Sequence, residues 1–383
     1  MKILMFSWEF PPYKVGGIAS HVNDLSQSLA KMGHNVHVLT YGETPGIEEV
    51  GKVTVHRIPS TWAPNTISWS MFLCHKMERE ALRLHRENHF DVVHAHDWMM
   101  VPAAIGIKKT LRLPFVFTLH STEKGRGGVH DRYSKMINDL EWYGTYEADQ
   151  IVTVGRDFCE EVKGLFNPPA EKIHYVPNGV DIKRFEDVKF FMDRSAVASD
   201  WEKIVLFVGR LSHQKGLEYL VWGAPKILRE HPETKFVVSG GGDSSRYLQL
   251  ASQLGVANKF YFCGYTPDHL LPSLYSMAET FVAPSVYEPF GIVALEASAA
   301  KRPVVGSYIG GLKDTIVHEY TGLHTYPAHV DSIVNQVSRV LSDQSWSNWL
   351  GKNGHSWVET NFTWDRISRW TTGIYGKAMG LWD

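Results

Sequence analysis

Apolar runs of four to seven residues, rich in β-branched and aromatic side chains, recur along the chain between stretches whose apolar positions follow helical spacing. The first half predicts strands at KILMFS (2–7), NVHVLT (35–40), VTVHRIP (53–59), FDVVHAHD (90–97), PFVFTLH (114–120), QIVTVG (150–155) and IHYVP (173–177). Between them lie helical patterns at 16–33, ending on Gly33, and at 67–88 and 133–149, with a short helix between FDVVHAHD and PFVFTLH and another helix between QIVTVG and IHYVP. The strands read as near-continuous apolar runs, as in sheets covered on both faces. Strand–helix alternation of this kind predicts a parallel sheet.

The turn-rich segment NGVDIKRFEDV (178–188) ends this series, and KIVLFVGR (203–210) opens a second one. Strands are predicted at 203–210, 235–242, 259–265, 280–286 and 302–308, with helices at 216–231, 244–255 and 267–277 and a helical tail from about residue 329. The expectation is an α/β chain of two doubly wound domains, 1–180 and 181–362, facing a cleft. In such sheets ligands bind outside the carboxyl ends of the strands. No short-period repeat or low-complexity tract is visible.

The chain has 383 residues, 44% of them hydrophobic and 21% charged, which fits an ordinary globular protein of two or three domains. A net charge of −2 gives no electrostatic case for a nucleic-acid partner. Cys74, Cys159 and Cys263 are far apart and form no C-x-x-C, which argues against a disulfide framework or a structural zinc site. MKILMF is too short an apolar run for a signal peptide, and no stretch is long enough to span a membrane. A reducing, cytoplasmic location is expected. The charged helix 75–88 has mixed signs, which favours a solvated face over peripheral membrane contact and leaves the second open.

Chemistry-bearing residues fall just after predicted strands. VYEPFGIVALEAS (286–298) holds two carboxylates, Glu288 and Glu296. Pro289 predicts a helix starting near Pro289 or Phe290, with Glu288 in the turn before it and Glu296 about two turns along. Gly291 allows close backbone approach, and Ile292 continues the helix. The helix start suits a phosphate and the two acids suit hydroxyl groups, as in a nucleotide sugar. A helix-pairing Glu296 and a solvated Glu288 would be the bland alternative. RLSHQKG (210–216) offers Arg210 and Lys215 at another helix start, two cations for a diphosphate. SGGGD (239–243), with Gly241, allows close approach by a nucleoside, and CGYTP (263–267), with Tyr265, offers backbone groups to a base.

Near the start, Lys14, Gly16 and Gly17 precede a helix and form either a diphosphate loop or a plain tight turn. The loop TLHSTEKGRGG (118–128) contributes His120, Glu123, Lys124 and Arg126, as a site or as a solvated loop. His94, His96 and Asp97 form H-x-H-D, which reads as packing with one histidine at the cleft, or as a metal cluster. The chain has no D-x-D to hold a divalent ion.

Together, RLSHQKG and EPFGIVALE resemble the Arg-x-x-x-x-Lys-Gly and E-x7-E elements of the retaining glycosyltransferases of family four, which have the two-domain GT-B architecture. KVGGI and DVVHAHDW are also similar to the bacterial glycogen synthases, although Phe290 stands where those have cysteine. The resemblance implies that Arg210 and Lys215 bind the donor diphosphate with the Gly16–Gly17 loop and Lys14. It implies that Glu288 binds the donor sugar, with Phe290, Gly291 and Ile292 beside it, that Glu296 holds the ribose and that His120 lies over the sugar. Acceptor contacts are expected at His96, Asp97, Glu123, Lys124 and Arg126. The final helix, about 363–383, is expected to cross back onto the first domain, with domain closure completing the site. The implied reaction is hexose transfer, with glucose favoured, from UDP- or ADP-glucose to a carbohydrate acceptor such as an α-glucan, with no cofactor and no metal. Rival readings are a different acceptor (lipid, small polyol or disaccharide-forming), a sugar-nucleotide epimerase, a metal-dependent hydrolase built on His94, His96 and Asp97, and a non-catalytic binding module.

Overall fold

A computed structural model of the chain describes residues 1–188 and 191–381. The chain divides into two compact units. One runs from Met1 to Gly179 and takes in the chain from Trp364 onward; the other is Val180–Thr363.

The first unit is built on eight strands: β1 (Lys2–Phe6), β2 (Asn35–Tyr41), β3 (Gly46–Val50), β4 (Val53–Ile58), β5 (Val92–His96), β6 (Phe115–Leu119), β7 (Gln150–Thr153) and β8 (Ile173–Tyr175). Their order is β3-β4-β2-β1-β5-β6-β7-β8. All neighbours are parallel except β3 and β4. Ile3 faces Val36 on one side and Val92 on the other, so the order reverses at β1. That is the switch point where a doubly wound sheet opens its crevice. The strand β3 escaped the apolar pattern because it is a solvent-facing edge: Ile47, Glu48 and Glu49 are all exposed.

The helix Gly17–Lys31 lays Val22, Leu25 and Leu29 on the sheet and ends where Gly33 turns left-handed at φ 90°. The helix Thr66–Asn88 is capped by Asn65, whose side chain accepts from the Ser68 N–H at 2.9 Å. Its outer face carries Arg83 paired with Glu80 and Glu87, a solvated pattern. The last helix, Trp364–Ala378, belongs to this unit. Its Ile367, Ile374 and Tyr375 enter the same core as Val22 and Leu29. A Cβ on Gly179 would come within 2.7 Å of the Trp364 ring, so glycine is needed there for the helix to dock.

The second unit has six strands: β9 (Lys203–Val208), β10 (Thr234–Ser239), β11 (Phe260–Gly264), β12 (Thr280–Ala283), β13 (Val304–Ser307) and β14 (Gly322–Thr325). They are ordered β11-β10-β9-β12-β13-β14 and are all parallel, with the switch at β9. The core joins Val205, Phe207, Leu220, Ile227, Phe236, Val282 and Leu323. Reading the sequence missed β14 because GLHT is short and half polar; its partner β13 is what makes it a strand. Each unit is thus a Rossmann-like layer of helices around a parallel sheet. Among the described residues no helix is long and apolar enough to cross a membrane.

Candidate active site

In the second unit, glycines fold the carboxyl ends of three strands together. The Gly209 N–H donates to Ser239 O (2.9 Å), Gly240 N–H to Gly264 O (2.8 Å) and Leu211 N–H to Gly241 O (2.9 Å). A Cβ on Gly240 would lie 1.8 Å from Gly209 O. Gly241 has open space at its Cβ position, and Tyr265 is 62% exposed. Arg210 projects from this edge into solvent, and among the described residues its guanidinium has no hydrogen-bond or ion-pair partner.

Lys215 and Glu288 are brought together by loop contact. Gly216, at φ 65°, would place a Cβ 2.0 Å from Pro284 O, so only glycine allows the two loops to touch. The Val286 N–H then donates to Gln214 O at 2.8 Å. Lys215 Nζ donates to Glu288 Oε2 at 2.6 Å, and Ser285 Oγ donates to the same oxygen at 3.1 Å. Glu288 is buried and Lys215 half-buried, so the pair is screened by little water.

The helix expected to begin near Pro289 or Phe290 begins instead at Ile292 and runs to Ala299. Phe290 is buried, Gly291 is left-handed at φ 93°, and the Gly311 N–H holds Glu288 O at 3.0 Å, so the backbone stays non-helical through Gly291. Glu296 is consequently one turn along, not two. Its Oε2 accepts from the Tyr275 hydroxyl at 3.0 Å. Burial, with the Glu296 charge, raises the Tyr275 hydroxyl well above its ordinary range and keeps it a donor. The pair Gly310–Gly311 was not singled out from the sequence. A Cβ at Gly310 would lie 2.0 Å from Glu288 O, and one at Gly311 would lie 2.2 Å from Phe290 Cα. The signal was a Gly-Gly just past a strand, the same sign that marked the other loops.

In the first unit the Gly16–Gly17 loop already holds an acid. Buried Glu9 accepts from the Val15 N–H at 2.6 Å and the Gly16 N–H at 2.8 Å through Oε2. Lys14 Nζ donates to Ser20 Oγ at 2.8 Å. Glu9 was not identified from the sequence; a carboxylate between Trp8 and Phe10 beside a glycine loop was the available sign.

Histidines gather at the ends of β5 and β6. His96 Nδ1 lies 3.2 Å from His120 Nε2, and Asp97 Oδ1 accepts from the His120 N–H at 3.2 Å. His21, on the helix Gly17–Lys31, was missed because it continues that helix's apolar face. Its ring meets His120 edge-on at 4.7 Å and His96 at 5.3 Å, and its Nδ1 lies 2.6 Å from Asn178 Oδ1. Burial lowers all these rings below the ordinary histidine range, His94 and His120 to about 3, so they are neutral. Burial also raises the Asp97 carboxyl, against the pull of Arg126. The trio His94, His96 and Asp97 does not form a metal set. Both His94 nitrogens are taken, by Tyr375 Oη and Thr118 Oγ1 at 2.7 Å each. The group with ligand atoms in reach of one another is His21, His96 and His120.

The stretch after β6 is not a loose loop but a short helix, Glu123–Arg126, capped by Thr122 Oγ1 on the Gly125 N–H at 3.0 Å. Arg126 turns inward to Glu123 (2.9 Å) and buried Glu141 (3.1 Å), while Lys124 is exposed.

Comparison with known proteins agrees with this architecture. Residues 15–184 match Glycosyltransferase Family 4, and residues 189–357 match Glycosyl transferases group 1. An uncharacterized glycosyltransferase of Methanocaldococcus jannaschii is 42% identical over 389 residues, covering 100% of this chain and 99% of that one. Glycogen synthase of Mycobacterium tuberculosis is 33% identical over 399 residues, covering 99% and 95%. A D-inositol 3-phosphate glycosyltransferase of Frankia alni is 27% identical, covering 95% of each. Among solved structures, sucrose-phosphate synthase from Thermosynechococcus elongatus matches at a TM-score of 0.83 and 24% identity, covering 99% of both chains. With both halves matched and two Rossmann-like units in series, the chain belongs to the family four glycosyltransferases and has the GT-B fold.

Proposed function

We propose that this enzyme moves glucose from UDP- or ADP-glucose to an α-glucan or maltooligosaccharide, with retention of configuration and without a metal. The observation that carries the reading is the Lys215–Glu288 contact at the strand ends, with Arg210, which has no side-chain partner among the described residues, on the same sheet edge. Two cations suit a diphosphate, and a buried carboxylate suits sugar hydroxyls. Glu288 would also stabilise positive charge developing at the anomeric carbon. Glu296, one turn into the next helix, would accept from the ribose hydroxyls. Lys14 with Gly16–Gly17, and the backbone at Phe290, Gly291 and Ile292, would line the diphosphate and sugar. Neutral His120 would lie over the sugar.

The acceptor oxygen bonds to the anomeric carbon on the face from which the nucleoside diphosphate leaves. The carbon–oxygen bond to the phosphate breaks, and the acceptor proton passes to the leaving phosphate oxygen. The protein's part is positioning and charge. The 33% identity to a glycogen synthase supports a glucan acceptor. The inositol phosphate enzyme among the relatives favours the second reading, a small polyol phosphate acceptor. Three free cysteines support a reducing, cytoplasmic compartment.

The test is nucleoside diphosphate release from a panel of UDP- and ADP-sugars in EDTA, with and without maltooligosaccharide or inositol phosphate. Release that needs maltooligosaccharide and one glucose donor supports the reading. Release that needs inositol phosphate supports the second. Release without any acceptor favours an epimerase-like or hydrolytic outcome. Donor binding with no release, whatever the acceptor, favours a binding module.

A further inference from the structure

We propose that His21, His96 and His120 bind one divalent transition-metal ion of the zinc class, and that its binding stops sugar transfer. The three imidazoles come from the first helix, the end of β5 and the residue after β6, and one nitrogen from each lies within 4.8 Å of the others. Two nitrogens of these rings are orphans. His21 Nε2 and His96 Nε2 are buried and have no hydrogen-bond partner. A buried polar atom left unpaired costs about 1–3 kcal/mol, and two such atoms in neighbouring rings need an explanation.

A metal supplies one. Asn178 Oδ1 is an acceptor, so the His21 proton is on Nδ1 and the lone pair is on Nε2, the free atom. This is the outer-shell carbonyl support that ligating histidines ordinarily have. Imidazole ligands select zinc, copper, nickel and cobalt over magnesium and calcium. A tetrahedral ion with bonds of about 2.0–2.1 Å needs its nitrogens about 3.3 Å apart. The group must therefore contract slightly, with His120 giving up its 3.2 Å contact with His96. His94 stays outside the set, since both its nitrogens are engaged. The inhibitory effect rests on the reading that His120 faces the donor sugar; the binding does not.

The full chain, stripped with EDTA and desalted, is titrated with Zn²⁺ and with Co²⁺ by calorimetry. One saturable equivalent is expected, with the visible bands of tetrahedral cobalt. His21→Ala and His96→Ala should each weaken binding at least tenfold, while His213→Ala and His329→Ala, at exposed histidines, leave it unchanged. Absence of saturable binding, or loss only in the surface variants, overturns the site. If a core variant does not fold by circular dichroism, X-ray absorption on the zinc-loaded unaltered chain decides. Three nitrogen ligands at about 2.0 Å support the site and fewer than three imidazoles reject it. Zinc should inhibit transfer with the midpoint seen in the binding titration; binding without inhibition removes that half of the proposal. A metal-free chain with no transferase activity would count against the function reading, and the titration would still decide the site.

Discussion

Lys215 and Glu288 are 73 residues apart in the chain, and the ammonium donates to the carboxylate at 2.6 Å. The contact exists because Gly216 lies against Pro284 and the Gly310–Gly311 pair lies against Glu288 and Phe290. Two loops from different strand ends therefore present one charged pair. Lys215→Ala and Glu288→Gln should each lower kcat/KM for the donor more than tenfold, with the circular dichroism spectrum unchanged. Lys215→Ala should also lower stability, since it leaves a buried carboxylate without its cation. Wild-type rates in both variants would remove these residues from the site.

Gly216→Ala should destabilise the chain by about 2 kcal/mol or more, through a Cβ that collides with a backbone oxygen and a φ of 65°. Gly241→Ala, with open space around the added carbon, should shift stability by roughly 0.5 kcal/mol at most. Urea unfolding of the two variants side by side measures the difference. Equal midpoints would contradict the loop-contact account.

Glu296→Ala should raise the donor KM about tenfold and change kcat less, as expected for loss of a charge-assisted bond of about 1.5–3 kcal/mol to a part of the donor remote from the reacting carbon. Tyr275 keeps a partner in this variant, because its hydroxyl also reaches Val293 O at 3.3 Å, so the fold should hold. Steady-state kinetics with varied donor decides. An unchanged KM would return Glu296 to a purely structural role.

Stability should fall with acid in a window set by buried histidines. His37 and His56 stack at 5.3 Å, with Nδ1 and Nε2 3.0 Å apart, and burial with the His37 charge lowers His56 to about 4. The unfolded chain takes up the proton near pH 6.5 and the folded chain does so only near pH 4. Unfolding therefore binds protons between these values, and stability, full above pH 6.5, is lost as pH falls to 4. The His56 share is on the order of 3 kcal/mol. Thermal midpoints from pH 8 to 4, compared with His56→Val, measure it; parallel curves would refute it.

Much of this was legible in the sequence, and for physical reasons. Buried parallel strands are continuous apolar runs, so β1, β2, β5 and β6 and the helix Gly17–Lys31 announced themselves, whereas exposed β3 and the four-residue β14 carry no such run. The loops that meet at Lys215 and Glu288 were marked by Arg, Lys, Glu and glycine just past strands. What joins them was not legible, because the closeness of Gly216 to Pro284 or Gly310 to Glu288 is a property of two distant backbones. His21 and Glu9 were hidden for another reason. Each is a polar residue buried among apolar neighbours, and only its partners, Asn178, His120 and the Val15 and Gly16 N–H groups, give it meaning.

The last helix also sets an order of events during synthesis. Ile367, Ile374 and Tyr375 complete the core of the first unit, so that unit is unfinished until the helix Trp364–Ala378 has left the ribosome. The unit Val180–Thr363 is contiguous and has its whole core emerged before then. The half of the enzyme translated first is thus the half whose core is completed last.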